Sequence, residues 1–87
     1  MKRYEIRIER GAQKWLAKLR DRKTLERIGA AIDKLAEDPR PMGAEKLSGH
    51  LNRYRFRVGV YRILYEIHDA VLVVLIVDIG DRKEIYR

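Results

Sequence analysis

The chain has 87 residues, 46% of them hydrophobic, which suffices for one modest core and no more. It contains no cysteine, excluding a disulfide framework and a thiolate zinc site, and its longest apolar run, Ala70 to Val77, is too short to cross a bilayer. Twenty Lys and Arg against thirteen Asp and Glu leave a formal charge of +7, which favours an acidic partner such as nucleic acid or an acidic protein.

The opening MKRYEIRIERG has no apolar run of the kind a secretory leader carries, so a single cytoplasmic domain over residues 1–87 is expected. Residues 3–8, RYEIRI, alternate: Tyr4, Ile6 and Ile8 take one face and Arg3, Glu5 and Arg7 the other, which predicts a half-buried strand. Ala12, Trp15, Leu16 and Leu19 then recur at helical spacing and predict a helix near residues 10–20, broken by RDRK at 20–23. Leu25, Ile28, Ala31, Ile32 and Leu35 form the stripe of a second helix, with Thr24 as its candidate N-cap unless it starts a few residues earlier. Pro39 and Pro41 end that helix. Ser48-Gly49 marks a loop, and strands are predicted over 53–58, 61–67 and 71–79, with His68-Asp69 as the last turn. The run VLVVLIVDI lacks alternation, which places it in the middle of the sheet. Gly80 ends it, and the tail DRKEIYR is a candidate edge strand. The order β-α-α-β-β-β(-β) predicts an α+β domain, two N-terminal helices packed on one face of a mainly antiparallel sheet.

The stretch RYRFRVGVYRILYE carries the chemistry. Gly59-Val60 fits a two-residue loop with Gly first, the type II′ signature. Val58 then opposes Tyr61, Phe56 opposes Ile63 and Tyr54 opposes Tyr65 on the core face. The other face sets Arg57 against Arg62, Arg55 against Leu64, and Arg53 against Glu66, the last a candidate ion pair. Arg55, Arg57 and Arg62 find no acidic neighbour on the hairpin, and a rigid trident of guanidiniums suits phosphate. The plainer reading is a solvated polar face. His50, in the loop before this strand, is a candidate for touching a base, whereas His68 reads as an incidental turn residue. Trp15, Tyr54, Tyr61 and Tyr65 read as core. The basic stretch KWLAKLRDRKTLERIG reads either as solvated helix faces or as phosphate contacts. No histidine and carboxylate spacing suggests a metal, and no cofactor is expected.

The arrangement KLSGHLNRYRFRVGVYRILYEI, an apolar strand and then GDRKEIYR resembles the RelE/ParE superfamily of toxin–antitoxin toxins, the RelE branch in particular, over nearly the whole chain. The resemblance implies the RelE-like fold and a toxin that enters the ribosomal A site and cuts translated mRNA without a metal. It also implies a RelB-like antitoxin encoded by the neighbouring gene, with ribosome and mRNA as further partners and no membrane. By position, Arg55, Arg57 and Arg62 would stabilise the phosphorane. Arg82 would assist the leaving group by charge, and Tyr86 would be the base for the ribose 2′-OH, its phenol acidified by neighbouring cations. Arg53, His50 and Lys83 would contact the RNA. Asp81 departs from the pattern, since relatives often place a histidine or a basic residue there, and an acid beside Arg82 would weaken phosphate binding or pair with Arg82 or Lys83. Two other functions fit the same fold: a ParE-like inhibitor of DNA gyrase, and an inactive module that binds antitoxin or nucleic acid.

Overall fold

In a computed structural model of the chain the structure describes residues 3–81. In chain order these form β1 (Glu5–Ile8), α1 (Arg10–Lys18), α2 (Arg22–Glu37), β2 (Glu45–Lys46), β3 (Arg53–Val58) and β4 (Tyr61–His68). A 3-10 turn (Asp69–Val71) and β5 (Val73–Asp81) follow. The α2 helix starts earlier than Thr24. Asp21 is its N-cap, accepting from Lys23 N at 3.2 Å and from Thr24 Oγ1 at 2.6 Å, so the threonine donates to the cap instead of being it. The candidate strand in the tail lies outside the described residues beyond Asp81.

Among the described residues the sheet has five strands in the order β1-β5-β4-β3-β2. β5 does occupy an interior position, as its unbroken apolar run predicted, with β1 parallel on one side and β4 antiparallel on the other. β5 begins two residues later than expected because the turn before it is longer: the 3-10 segment closes on Leu72, whose φ of 54° is left-handed. A bulge falls where Leu64 pairs with Asp78 but Tyr65 pairs with Ile76, leaving Val77 as the extra residue. The bulge shifts the inward set from Val74 and Ile76 to Ile79, which explains an apolar run without simple alternation.

Both helices turn their stripes onto one face of this sheet. Ile28 and Leu35 of α2, Ala12 of α1, and Ile63, Tyr65, Val74 and Ile76 of the sheet are all fully buried in one cluster. Trp15 belongs to it as well, edge-on to Tyr61 with ring centroids 5.4 Å apart. Pro39 and Pro41, which stop α2, are buried, so the connection to β2 is anchored. Tyr65 donates its hydroxyl to Pro39 O at 2.7 Å, and burial pushes that phenol well above its usual pKa. Arg40 in the same connection binds Asp69 at 2.8 Å and lies over the Tyr54 ring, while Tyr4 donates to the same carboxylate. Asp69, held by Arg40 first and Tyr4 second, keeps its carboxyl below the usual aspartate range.

The β3–β4 hairpin has the predicted register from Val58↔Tyr61 to Arg53↔Glu66. Gly59 sits at φ 62° and Val60 is not in the left-handed region, as the first and second positions of a II′ turn require. A Cβ on Gly59 would also meet Arg27 Nη2 of α2 at 3.3 Å. Gly59→Ala is therefore expected to lower stability by at least about 1 kcal/mol, from the left-handed backbone alone. Urea unfolding checks this as a lower midpoint with an unchanged m-value.

Candidate functional site

The pleat places one set of β3 and β4 residues on the sheet face opposite the helices. Across β3 and β4 that face runs Arg57 and Arg62, then Arg55 and Leu64, then Arg53 and Glu66, each step about 6.6 Å along the strand. The expected row of arginines is present, but its members differ. Arg57 is exposed and donates from Nε to Gly59 O at 3.2 Å, the carbonyl of its own turn. Arg62, directly opposite, is only 6% exposed, the one charged residue buried among the described residues. It is engaged rather than free. Its guanidinium is therefore held in place by its surroundings rather than mobile in solvent.

Arg55 has no acidic neighbour on the hairpin, as expected, but finds one on the adjoining strand. The two-residue strand β2 pairs Glu45 with Arg55, and Glu45 Oε2 lies 3.2 Å from Arg55 Nη2. No strand was predicted there, because two residues are too few to show a period. The carboxylate is the residue that sequence reasoning missed; its only signal was an acid between two glycine-containing turns, Gly43 and Gly49. So the row holds an exposed Arg57 at the turn, a buried and engaged Arg62 opposite it, and Arg55 paired with Glu45.

Arg53 makes the predicted ion pair with Glu66, at 2.6 Å. The other oxygen of Glu66 lies 3.0 Å from His68 Nε2, and the Asn52 amide approaches His68 Nδ1 at 3.4 Å. With the amide donating to Nδ1, the ring proton sits on Nε2 and goes to Glu66. His68 is thus built into the sheet end, not a bare turn residue. The bond from Arg53, and secondarily that from His68, holds the Glu66 carboxyl below its usual pKa. His50 stays exposed in its loop, away from this line of contacts. Asp81 pairs with Tyr61, whereas Arg62 pairs with Gly80. The register therefore puts the Asp81 side chain on the helix side of the sheet, away from Arg57 and Arg62. Arg82, Lys83 and Tyr86 lie outside the described residues. Among those described, no group of metal-ligating side chains gathers, and no helix is long and apolar enough to cross a membrane.

Residues 6–86 match the family described as the ParE toxin of the type II toxin–antitoxin system parDE. No curated protein matches the chain in sequence. Among solved structures, the toxin–antitoxin complex RelBE2 from Mycobacterium tuberculosis superposes with a TM-score of 0.80 at 26% identity, covering 94% of each chain. The archaeal RelE–RelB complex from Pyrococcus horikoshii gives 0.78 at 26% identity, over 94% of this chain and 97% of that one. The isolated E. coli RelE toxin gives 0.79 at 26% identity, over 95% and 90%.

The pKa of Glu66 has a consequence for stability. Its folded value lies below the ordinary 4.5, so the ionised pair stabilises the fold above that pH and the contribution is lost as pH falls through the folded value. Thermal unfolding between about pH 6 and about pH 3 is expected to show a steeper acid decline for the native chain than for Glu66→Gln, which should also be less stable at neutral pH.

Proposed function

The chain belongs to the family of ParE toxins of type II toxin–antitoxin systems, and from that premise we propose that it acts as a ribosome-dependent mRNA endoribonuclease. The observation that supports this reading is the facing pair at the turn: an exposed Arg57 and a buried Arg62, held on a rigid hairpin with Glu45 committed to Arg55 instead. Fixed cations in a poorly screened position stabilise charge that develops during reaction better than mobile ones.

The chemistry needs no metal. The ribose 2′-oxygen forms a bond to the adjacent phosphorus as its proton passes to the Tyr86 phenolate. The phosphorane carries two negative charges, which Arg57 and Arg62 offset, with Arg55 as a weaker contributor. The bond from phosphorus to the 5′-oxygen then breaks, and that oxygen takes up a proton from water. The products are a 2′,3′-cyclic phosphate and a 5′-hydroxyl end. Arg82 and Tyr86 enter by the family resemblance, Arg82 as a charge near the leaving oxygen, since a guanidinium is a poor proton donor. Arg53, His50 and Lys83 are assigned to holding the strand. The ribosome supplies positioning, so the free protein cuts slowly. A RelB-like antitoxin from the neighbouring gene is the proposed partner, presenting an acidic or amphipathic segment that folds onto the toxin.

The second reading, inhibition of DNA gyrase without cleavage, is favoured by the match to a ParE family and by the neutralisation of Arg55. Primer extension on a translated message during expression separates the two. Cuts within codons, reduced about 100-fold or more by Arg57→Ala, Arg62→Ala or Tyr86→Phe, are the expected result. Intact messages with arrested DNA replication would establish the second reading.

A further inference from the structure

Two arginines of β3 each meet a carboxylate, and the two pairs differ in how firmly they are held. Arg53 meets Glu66 at 2.6 Å, and the glutamate side chain is only 19% exposed. Glu66 stands on β4, between β3 and β5, and its second oxygen lies 3.0 Å from His68 Nε2, so the carboxylate is fixed from two sides. Arg55 meets Glu45 at 3.2 Å, longer than charge-assisted pairs usually run. The arginine side chain is 20% exposed there, whereas that of Glu45 is 65% exposed. Arg55 is the only ion-pair partner of Glu45 among the described residues. Glu45 also stands on β2, an outer strand of two residues. The carboxylate is therefore the partner that can swing away, while the guanidinium stays. Directly paired residues share a face, so Glu45 lies on the open face beside Arg55. Arg57 follows on that face, about 6.6 Å along β3.

We propose that Glu45 is an internal competitor for phosphate: it occupies Arg55 until the RNA backbone displaces it, and so sets how tightly the hairpin face binds RNA. This role rests on the reading that the hairpin face takes RNA. A carboxylate and a phosphate compete for the same guanidinium, because both accept its paired, planar N–H donors. An exposed ion pair contributes little to stability, so releasing Glu45 costs the fold little. Displacement also moves a negative charge away from the incoming strand. Glu66 is unsuited to the same task, since its release would break contacts with both Arg53 and His68. The alternative is a purely structural Glu45, which offsets Arg55 against Arg53 and Arg57, the cations beside it on the same face. The two roles predict opposite signs when the charge is removed. A structural carboxylate helps to present Arg55, whereas a competitor withholds it.

The test titrates a fluorescent single-stranded RNA, 2′-O-methylated so that no attack can occur, with the full chain at about 50 and about 200 mM salt. Glu45→Gln keeps the shape of the side chain and removes its charge. It is expected to bind about 5-fold more tightly, with a salt slope steeper by about 1, as one further phosphate contact dictates. Glu5→Gln is the control. It removes the same charge from an exposed pair with Arg7, on the same face but at the opposite edge of the sheet. It should stay within about twofold of the native chain, because surface charges are screened over that distance. In an Arg55→Gln background, Glu45→Gln should change affinity by less than about twofold, which ties the effect to the pair. Should the double variant fail to fold, the comparison with Glu5→Gln decides alone. Weaker or unchanged binding by Glu45→Gln overturns the proposal, as does absence of binding by every chain. So does equal tightening by Glu5→Gln, or tightening that persists without Arg55, since either reflects net charge only. Primer extension scores cleavage separately. A chain that shows the coupling but cuts no message retains the competitor and loses the nuclease; one that cuts without the coupling loses only the competitor.

Discussion

With Gly59 held at φ 62°, Val58 must face Tyr61, and each pair after it is then determined down to Arg53 and Glu66. Side chains alternate across a strand with a period of two, so a slip of one residue would carry four arginines into the core and four aromatic rings out of it. The buried side makes such a slip prohibitive. Tyr65 is fully buried and bound to Pro39 O, and Tyr54 stacks on it at 5.8 Å. The polar row therefore sits where it does because the opposite face of the same two strands cannot sit anywhere else.

Two like charges opposite one another weaken a sheet, and Arg57 against Arg62 is such a pair. The fold offsets part of the cost locally. Glu45 answers Arg55 from β2, and Glu66 answers Arg53 from β4. Arg57 leans back to the turn carbonyl, away from its neighbour. The result is a row of charge balanced at the His68 end, with an exposed arginine at the Gly59 end. The helical layer follows the same polarity, with Arg27 at the turn and Glu37 on Arg3 near β1. A long-range field of this shape orients an anionic partner before contact, which a scattered +7 would not.

The two functions open to this family share a fold and differ in what the sheet surface has to do. Cleavage requires cations whose positions are set before the substrate arrives, because reorganising them during reaction would forfeit their effect. A binding surface has no such requirement. Burial of Arg62 within the hairpin suits the first demand, while the Arg55–Glu45 pair suits the second. Asp81, a departure in the sequence, loses much of its weight once the register turns it toward Tyr61.

Local rules were enough for most of the architecture. The helical stripe of Leu25, Ile28, Ala31, Ile32 and Leu35, the prolines that stop it, and the Gly-first turn each act through neighbours within a few residues, so the chain alone determined the two helices, the hairpin and its pairing. The family, too, was legible in the hairpin and tail. What escaped was set by partners distant in sequence. The two-residue β2 exists because β3 offers it an edge, and it brought Glu45 to Arg55 across ten positions. The Val77 bulge, the burial of Arg62 and the contact of Arg27 with Gly59 likewise depend on how strands and helices stack, not on any local preference. The sequence by itself determined which residues share a face. Only the tertiary structure decided which charges on that face are neutralised, because a carboxylate acts through space on whatever packing places beside it.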